Sequence, residues 1–257
     1  MEEKKVGEVK QIFENRILDL HQQMGKQCCY TYSDFLNLDQ QSQVISLLNK
    51  EHITEYELFG GVEDCQRKVL RFGTKETLFY EEEYPISILL VTPKSMKFAE
   101  TLSHRDYLGA VLNLGIDRGK IGDIFIQDKL GYICCVNKIS AFIQNELTRI
   151  KHTSVSCEEI SHHNFKREYH FKEKECIVSS LRLDVVIAGC MKLSRSKVSD
   201  LIKSKKCFLN DQLIEKESIQ LHDTDVITLR GYGKFIYVGC IKTTKSGKLY
   251  IKINQYV

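Results

Sequence analysis

Several features common in membrane, secreted and zinc-binding proteins are absent from this sequence. The 257-residue chain has no apolar run near the roughly 18 residues that a membrane-spanning helix needs. Its N-terminus, MEEKKVGEVKQIFENRILDL, is charged and amphipathic, unlike a secretory signal. None of the ten cysteines forms the C-x-x-C spacing typical of zinc sites. We therefore expect a cytoplasmic protein with no membrane segment and no metal, whose cysteines are reduced thiols.

The motifs of cofactor-dependent enzymes are also absent. His104-Arg105-Asp106 is similar to the catalytic tripeptide of protein kinases, but no glycine-rich phosphate loop precedes it and no D-F-G follows. The segment GIDRGKIGD, residues 115–123, is a poor match to the cofactor loop of a methyltransferase, which follows a strand and has a downstream acid. We predict no catalytic residues and no small-molecule cofactor.

The charge of the chain is unevenly distributed. The net charge is only +3, but residues 181–257 contain 14 Lys and Arg against 7 Asp and Glu, while residues 1–180 contain 23 against 27. A basic C-terminal third joined to a mildly acidic remainder is typical of a nucleic-acid-binding module attached to a body with another task.

Apolar periodicity predicts an α+β protein of three small domains. Residues 1–80 are predicted to form a mixed α/β domain with helices over residues 1–24 and 33–50. Residues 81–178 follow the order strand, helix, strand, strand, helix, strand, which is the split βαβ layout of ferredoxin-like folds and many RNA-recognition modules. Residues 179–257 are predicted to form two short helices and a sheet.

The middle domain also contains candidates for RNA contact. Phe125 and Tyr132 are the only candidates for an aromatic platform of the kind on which RNA-recognition sheets stack bases. Arg105, Arg118 and Lys120 are secondary candidates for contact with an RNA backbone. The alternative, a solvated turn held by local salt links, stays open.

The most informative stretch is residues 181–210. Ser179 or Ser180 is predicted to cap a first helix that ends at Gly189, and Ser194 is predicted to cap a second. The outward face of the second helix and the turn after it carry five cations, which are Arg195, Lys197, Lys203, Lys205 and Lys206. Phosphates are the commonest polyanionic partner of such a surface.

Three motifs in this stretch follow a family pattern. Arg182-Leu183-Asp184, then residues 193–197 (LSRSK), then residues 207–211 (CFLND), resemble the RNA-binding domain first seen in small-ribosomal-subunit protein four, the alpha-L motif. Asp211 and Thr224 stand where that pattern usually has glycine. The segment RGYGK at residues 230–234 resembles the R-G-F-G-R segment of the same family. The RNA contacts that we predict on this basis are Arg182, Ser194, Arg195, Ser196, Lys197, Lys203, Lys205, Lys206, Asn210, Arg230 and Lys234.

A second resemblance involves the first two domains. Residues 102–124, LSHRDYLGAVLNLGIDRGKIGDI, and residues 60–63, GGVE, with Arg67 further on, resemble the signature of the YlmH family. This resemblance implies an RNA-binding protein of Gram-positive bacteria that binds rRNA or tRNA on the large ribosomal subunit. The implied role is rescue or quality control of stalled translation, and an older association with cell division also attaches to the family.

Two other functions stay open. Pseudouridine synthases and some RNA methyltransferases carry the same RNA-binding domain, so an RNA-modifying enzyme is one alternative. Pseudouridine synthases use an Asp in an R-L-D context, whereas here this motif opens the RNA-binding domain itself. The other alternative is an interaction factor for cell division, in which the basic surface is incidental. Crosslinking to RNA in cells, or label transferred to RNA from S-adenosylmethionine, would separate these functions.

Overall fold

Seven α-helices and three antiparallel sheets lie along the residues that the computed structural model describes, which are 2–162, 165, 167, 169 and 171–256. The side chains of residues 2–6 are not described. This architecture confirms the predicted α+β class. The chain divides into two units, Met1–Lys166 and Arg167–Val257, and the finer division into three domains stays a prediction.

The first part of unit 1 is a three-stranded sheet packed against two helices. Its strand order is β1-β3-β2, and its core includes Ile17 of α1, Val44 and Leu48 of α2, and Phe72 of β3. The elements are α1 (Glu2–Gln27), β1 (Thr31–Leu36), α2 (Leu38–Lys50), β2 (Tyr56–Phe59), β3 (Lys68–Phe72) and α3 (Lys75–Leu78).

The helix predicted over residues 33–50 begins only at Leu38, because residues 31–36 form strand β1. Two of the buried positions of this strand are polar, which hides its alternation in the sequence. The Thr31 hydroxyl donates to the carbonyl of Leu20 (2.8 Å), and the Ser33 hydroxyl accepts from the backbone N–H of Leu70 (2.9 Å). Asn37 caps α2, since its side chain accepts from the backbone N–H of Gln40.

The second part of unit 1 has the predicted strand and helix order. Its sheet order, β5-β6-β4-β8-β7, and its antiparallel pairs form the split βαβ layout. The elements are β4 (Ile86–Pro93), α4 (His104–Leu112), β5 (Ile121–Gln127), β6 (Leu130–Val136), α5 (Asn137–Glu146), β7 (Arg149–Ile150) and β8 (Thr153–Ile160).

The face of this sheet that lies away from its helices is covered. Leu89 and Ile133 pack toward α4 and α5, while Ile88 and Cys134 pack against Phe35 and other residues of the first part. In RNA-recognition modules the face opposite the helices is the one that stacks bases. Phe125 is buried against Phe165, and Tyr132 is half-buried beside the same ring, so neither forms an open platform.

Unit 2 is a six-stranded sheet with two helices on one face. Its strand order is β11-β10-β12-β13-β14-β9, and one apolar core joins the helices to the sheet. The elements are β9 (Phe171–Val178), α6 (Leu183–Met191), α7 (Arg195–Lys203), β10 (Cys207–Leu209), β11 (Gln212–Leu213), β12 (Val226–Leu229), β13 (Gly233–Thr243) and β14 (Leu249–Tyr256).

Strand β9 differs from its predicted position in the middle domain. All eight of its residues pair with β14, from Phe171 opposite Tyr256 to Val178 opposite Leu249, so β9 forms the edge of the C-terminal sheet. Val178 belongs to the core of unit 2, which explains the preference for this sheet.

The cysteines also differ in part from expectation. Cys176 and Cys190 form a disulfide between β9 and α6, with their Cα atoms 5.8 Å apart, whereas all ten were expected to be reduced. Burial raises the pKa of the Cys135 and Cys207 thiols to about 12, as expected of small buried residues. No helix among the described residues is long and apolar enough to cross a membrane.

Two turns of unit 2 place non-glycine residues where the alpha-L pattern usually has glycine. Asp211 has φ = 64° in the two-residue turn between β10 and β11, and Thr224 has φ = 72° in the turn before β12. A β-branched residue at positive φ is disfavoured because its Cβ crowds the backbone.

We expect Thr224→Gly to raise the free energy of unfolding of unit 2 by about 1 kcal/mol, because the crowding is relieved. The measurement is hydrogen exchange of peptides from β12 and β13 across a urea series. Thr224→Ala, which keeps a Cβ at this φ, is the control and should gain less. Equal stability of the two variants would contradict the explanation.

Candidate nucleic-acid interface

Packing and backbone hydrogen bonds fix helices α6 and α7. Ser194 caps α7 as predicted, since its hydroxyl accepts from the backbone N–H of Lys197 (3.2 Å). The start of α6 differs from the prediction, because its N-cap is Arg182 and neither Ser179 nor Ser180. The first N–H groups of α6 are satisfied by carbonyls of a neighbouring loop, with the Leu183 N–H 2.8 Å from the carbonyl oxygen of Ile219. The helix also continues past Gly189, to Met191.

A buried carboxylate orients two of the predicted RNA contacts. Asp184 accepts hydrogen bonds from Arg182 (Nε, 3.0 Å) and from Arg195 (Nη2, 2.5 Å). The Asp184 side chain is only 3% exposed, whereas those of Arg182 and Arg195 are 41% and 64% exposed. Each guanidinium group is therefore bound to Asp184 through some of its N–H groups, while the rest of the side chain is open to solvent.

The charge of Asp184 is stabilised in place. Burial alone would raise the pKa of its carboxyl, but the hydrogen bonds from Arg195 and Arg182 outweigh burial and hold the pKa below its usual value. Asp184 therefore holds Arg182 and Arg195 together, which is a structural role for the carboxylate of the R-L-D motif.

The remaining cations of this region are exposed on α7 and in the turn after it. Lys205 lies 3.6 Å from Glu215, but both side chains are about two-thirds exposed, so this ion pair contributes little stability. We call the cations of this region the basic helix surface, which consists of Arg182, Arg195, Lys197, Lys203, Lys205 and Lys206.

Ser196 and Asn210 have bonds within unit 2. The Ser196 hydroxyl lies 3.0 Å from that of Ser194, at the start of α7. The Asn210 side chain donates to Asp225 (2.8 Å) and accepts from the N–H of Val226 (2.9 Å), which ties the β10–β11 turn to β12. RNA contact by either residue stays a prediction, beside these structural roles.

Arg230 and Lys234 flank the turn between β12 and β13. The Arg230 backbone N–H donates to the carbonyl of Lys206 (2.9 Å), and its guanidinium lies 4.9 Å from the ring centroid of Phe208. Gly231 and Gly233 both have positive φ and are exposed, so this turn depends on glycine. Lys234 lies on the face of the sheet opposite α6 and α7, because its neighbour Phe235 faces the core. The predicted contacts therefore occupy two faces of unit 2.

The secondary candidates in unit 1 have mostly internal partners. Arg118 donates to the carbonyls of Ile121 (2.5 Å) and Gly122 (3.3 Å), and burial lowers the pKa of its guanidinium. The Lys120 ammonium lies 2.5 Å from Asp34. These contacts favour the alternative of a turn held by local links for Arg118 and Lys120. Arg105 is exposed on the first turn of α4.

The two segments of the YlmH signature meet in the structure. Arg67 donates to the carbonyls of Ile121 (2.9 Å) and Arg118 (3.1 Å), and Asp123 accepts from the Arg67 N–H (3.3 Å). Burial lowers the pKa of Arg67 to about 10. Gly122 lets the Phe35 ring approach, since a Cβ there would lie 2.6 Å from a ring atom. Much of the signature thus joins the two parts of unit 1.

We expect Asp184→Asn to lower the free energy of unfolding of unit 2 by about 2 kcal/mol at neutral pH, because the negative charge that accepts hydrogen bonds from two arginines is lost. The folded pKa of Asp184 is the lower one, so its stabilisation is present above the unfolded pKa of about 3.9. That stabilisation is lost as the pH falls through the folded pKa.

The measurement is urea unfolding of both proteins over a pH series, read by hydrogen exchange of α6 and α7. Asp200→Asn, an exposed carboxylate on α7, is the control and should change stability little at any pH. A difference between wild type and Asp184→Asn that is independent of pH would contradict the assignment.

Known proteins resemble parts of this chain. Residues 80–164 match a family model described as "Putative RNA-binding domain in YlmH". Ribosome-associated protein quality control protein P2 of Bacillus subtilis (strain 168) is 29% identical over 149 residues, which are 58% of this chain and 56% of that protein. The alignment therefore spans little more than half of the curated relative.

A solved structure, cell division protein ylmH from Streptococcus pneumoniae, has 21% sequence identity and a TM-score of 0.48. The alignment covers 61% of this chain and 94% of the solved one. The matched family model includes residues 102–124 of the signature, so this part of the chain is similar to the RNA-binding domain of YlmH.

Proposed function

We propose that this protein is a non-enzymatic RNA-binding protein that acts on the ribosome in the cytoplasm. Its partners in this proposal are rRNA or tRNA on the large subunit, and its role is the rescue or quality control of stalled translation. The observation that carries the proposal is the basic helix surface, in which the buried Asp184 orients Arg182 and Arg195 beside the exposed lysines of α7.

Pre-orientation matters because a mobile cation loses side-chain entropy when it binds a phosphate. Arg182 and Arg195 have already lost part of this entropy to Asp184, yet both remain exposed. Arginine also presents a planar set of donors that fits phosphate oxygens in pairs. The order of motifs that resembles the alpha-L domain supports the same surface.

The comparisons support this direction for the parts of the chain that they match. The matched family model is described as an RNA-binding domain, and the curated relative is named for ribosome-associated quality control. The covered sheet face in unit 1 argues against base stacking there, so we place the main RNA contact in unit 2.

Asp184 also argues against the alternative of a pseudouridine synthase. A catalytic carboxylate must reach its substrate, whereas that of Asp184 is buried and accepts from two arginines. We propose that the R-L-D motif here is structural.

We expect the double variant Arg195→Ala, Lys197→Ala to weaken binding to purified large ribosomal subunits and to tRNA. It should also flatten the slope of log affinity against log salt by roughly 1.5 units, because two phosphate contacts are lost. The measurement is filter binding over a potassium chloride series.

The matched control is Lys26→Ala with Lys50→Ala, two exposed cations of unit 1, which removes the same charge. The control should keep the wild-type slope. Equal slopes for the two double variants would overturn the proposed surface.

A further inference from the structure

Three aromatic rings and two cations meet at one end of the C-terminal sheet. Phe171 of β9 lies directly opposite Tyr256 of β14, with ring centroids 4.9 Å apart. The Tyr169 ring lies 5.8 Å from that of Tyr256 and 6.0 Å from that of Phe171. The Lys234 ammonium lies 5.1 Å from the Tyr256 ring centroid, and the Arg167 guanidinium 4.9 Å from that of Tyr169. We call these five side chains the aromatic end.

The aromatic end does not belong to the core of unit 2. Side chains alternate along strands, and Ile253 of β14 and Phe235 of β13 face α6 and α7 in the core. Tyr256 and Lys234 therefore point to the opposite face. Phe171 is 41% exposed, although it is a large apolar side chain at a sheet edge.

The rest of this sheet face is different in character. Further along the same strands, Lys252 lies 2.6 Å from Glu173, and the Tyr250 hydroxyl bonds to Glu175. These polar pairs satisfy one another across β9 and β14. One further ring on these strands lies beside a cation, since the Lys242 ammonium is 5.2 Å from the Tyr250 ring centroid, but the hydroxyl of that ring bonds to a carboxylate. Among the described residues of this sheet face, several rings meet beside cations where β9 begins and β14 ends.

We propose that the aromatic end binds an unpaired nucleotide of single-stranded RNA. The base stacks on the exposed ring of Phe171, beside Tyr256, and the adjacent phosphates lie against Lys234 and Arg167. This inference rests on the proposed function and adds to it a second site with a different ligand class. A base within a duplex is already stacked on both faces, so only an unpaired base is free to use an aromatic ring.

Charge favours RNA over an apolar protein segment as the occupant. Lys234 lies over the Tyr256 ring at the margin of the patch, and an apolar partner that covered this ring would have to desolvate the ammonium group. A nucleotide supplies a flat apolar base and an anionic phosphate together. Lys234 also follows the exposed turn of Gly231 and Gly233, where a sugar-phosphate backbone has room to approach.

The test compares two RNA probes with equal numbers of phosphates, a single-stranded oligouridylate and a blunt, fully paired hairpin. Phe171→Leu keeps an apolar side chain but removes the ring, so it should weaken oligouridylate binding about tenfold and leave hairpin binding unchanged. Tyr256→Phe keeps a ring and should bind both probes like wild type. Ultraviolet crosslinking of wild type to the oligouridylate should label Phe171 or Tyr256.

The outcomes separate this inference from the proposed function. If Phe171→Leu binds the oligouridylate like wild type, or if crosslinks avoid β9 and β14, the aromatic end is not a nucleotide site. The proposed function then still stands, provided that hairpin binding depends on Arg195 and Lys197. If wild type binds neither probe nor ribosomal subunits, both proposals are overturned. The crosslinking result decides the matter even if a variant fails to fold.

Discussion

The organisation of unit 2 depends on one buried negative charge. Asp184 sits at the start of α6, yet it reaches Arg195 at the start of α7, so a single carboxylate fixes the first turns of both helices. A buried carboxylate is tolerated only when its oxygens are satisfied, and here two guanidinium groups satisfy them. Both groups also remain partly open to an approaching anion. The same ion pairs therefore hold the two helices together and orient two cations of the basic helix surface. The stability of unit 2 and its proposed RNA binding thus depend on the same contacts.

Unit 1 has a different physical character. Its split βαβ sheet has apolar residues on both faces, so the first part of the chain is needed to cover the face that lacks helices. The hydrogen bonds of Arg67 and Asp123 lock this arrangement. The basic loop of residues 115–123, in which the sequence predicted a phosphate contact, therefore forms its contacts within the protein. The loop illustrates how charged residues near glycines serve a fold as readily as a ligand.

Much of the fold was predictable from local signals. The apolar runs of β4 and β6, the cap at Ser194 and the inward spacing of Val198, Leu201 and Ile202 each depend on residues close in sequence. The predictions that were wrong concern residues whose partners are distant in the sequence. Strand β1 hides its pattern behind buried Thr31 and Ser33, and β9 pairs with β14, more than 70 residues away. The aromatic end was invisible for the same reason, because Tyr169, Lys234 and Tyr256 become neighbours only through strand pairing.

The covered face of the βαβ sheet has a practical consequence for dissecting this protein. A fragment that starts at residue 81 would correspond closely to the matched family segment, but it would leave Ile86, Ile88 and Cys134 without Phe35 and Val69. Such a fragment would expose an apolar sheet face, and we expect it to self-associate. Retention of RNA by this fragment would therefore not distinguish specific binding from aggregation. Homology boundaries and folding boundaries are not the same in this chain.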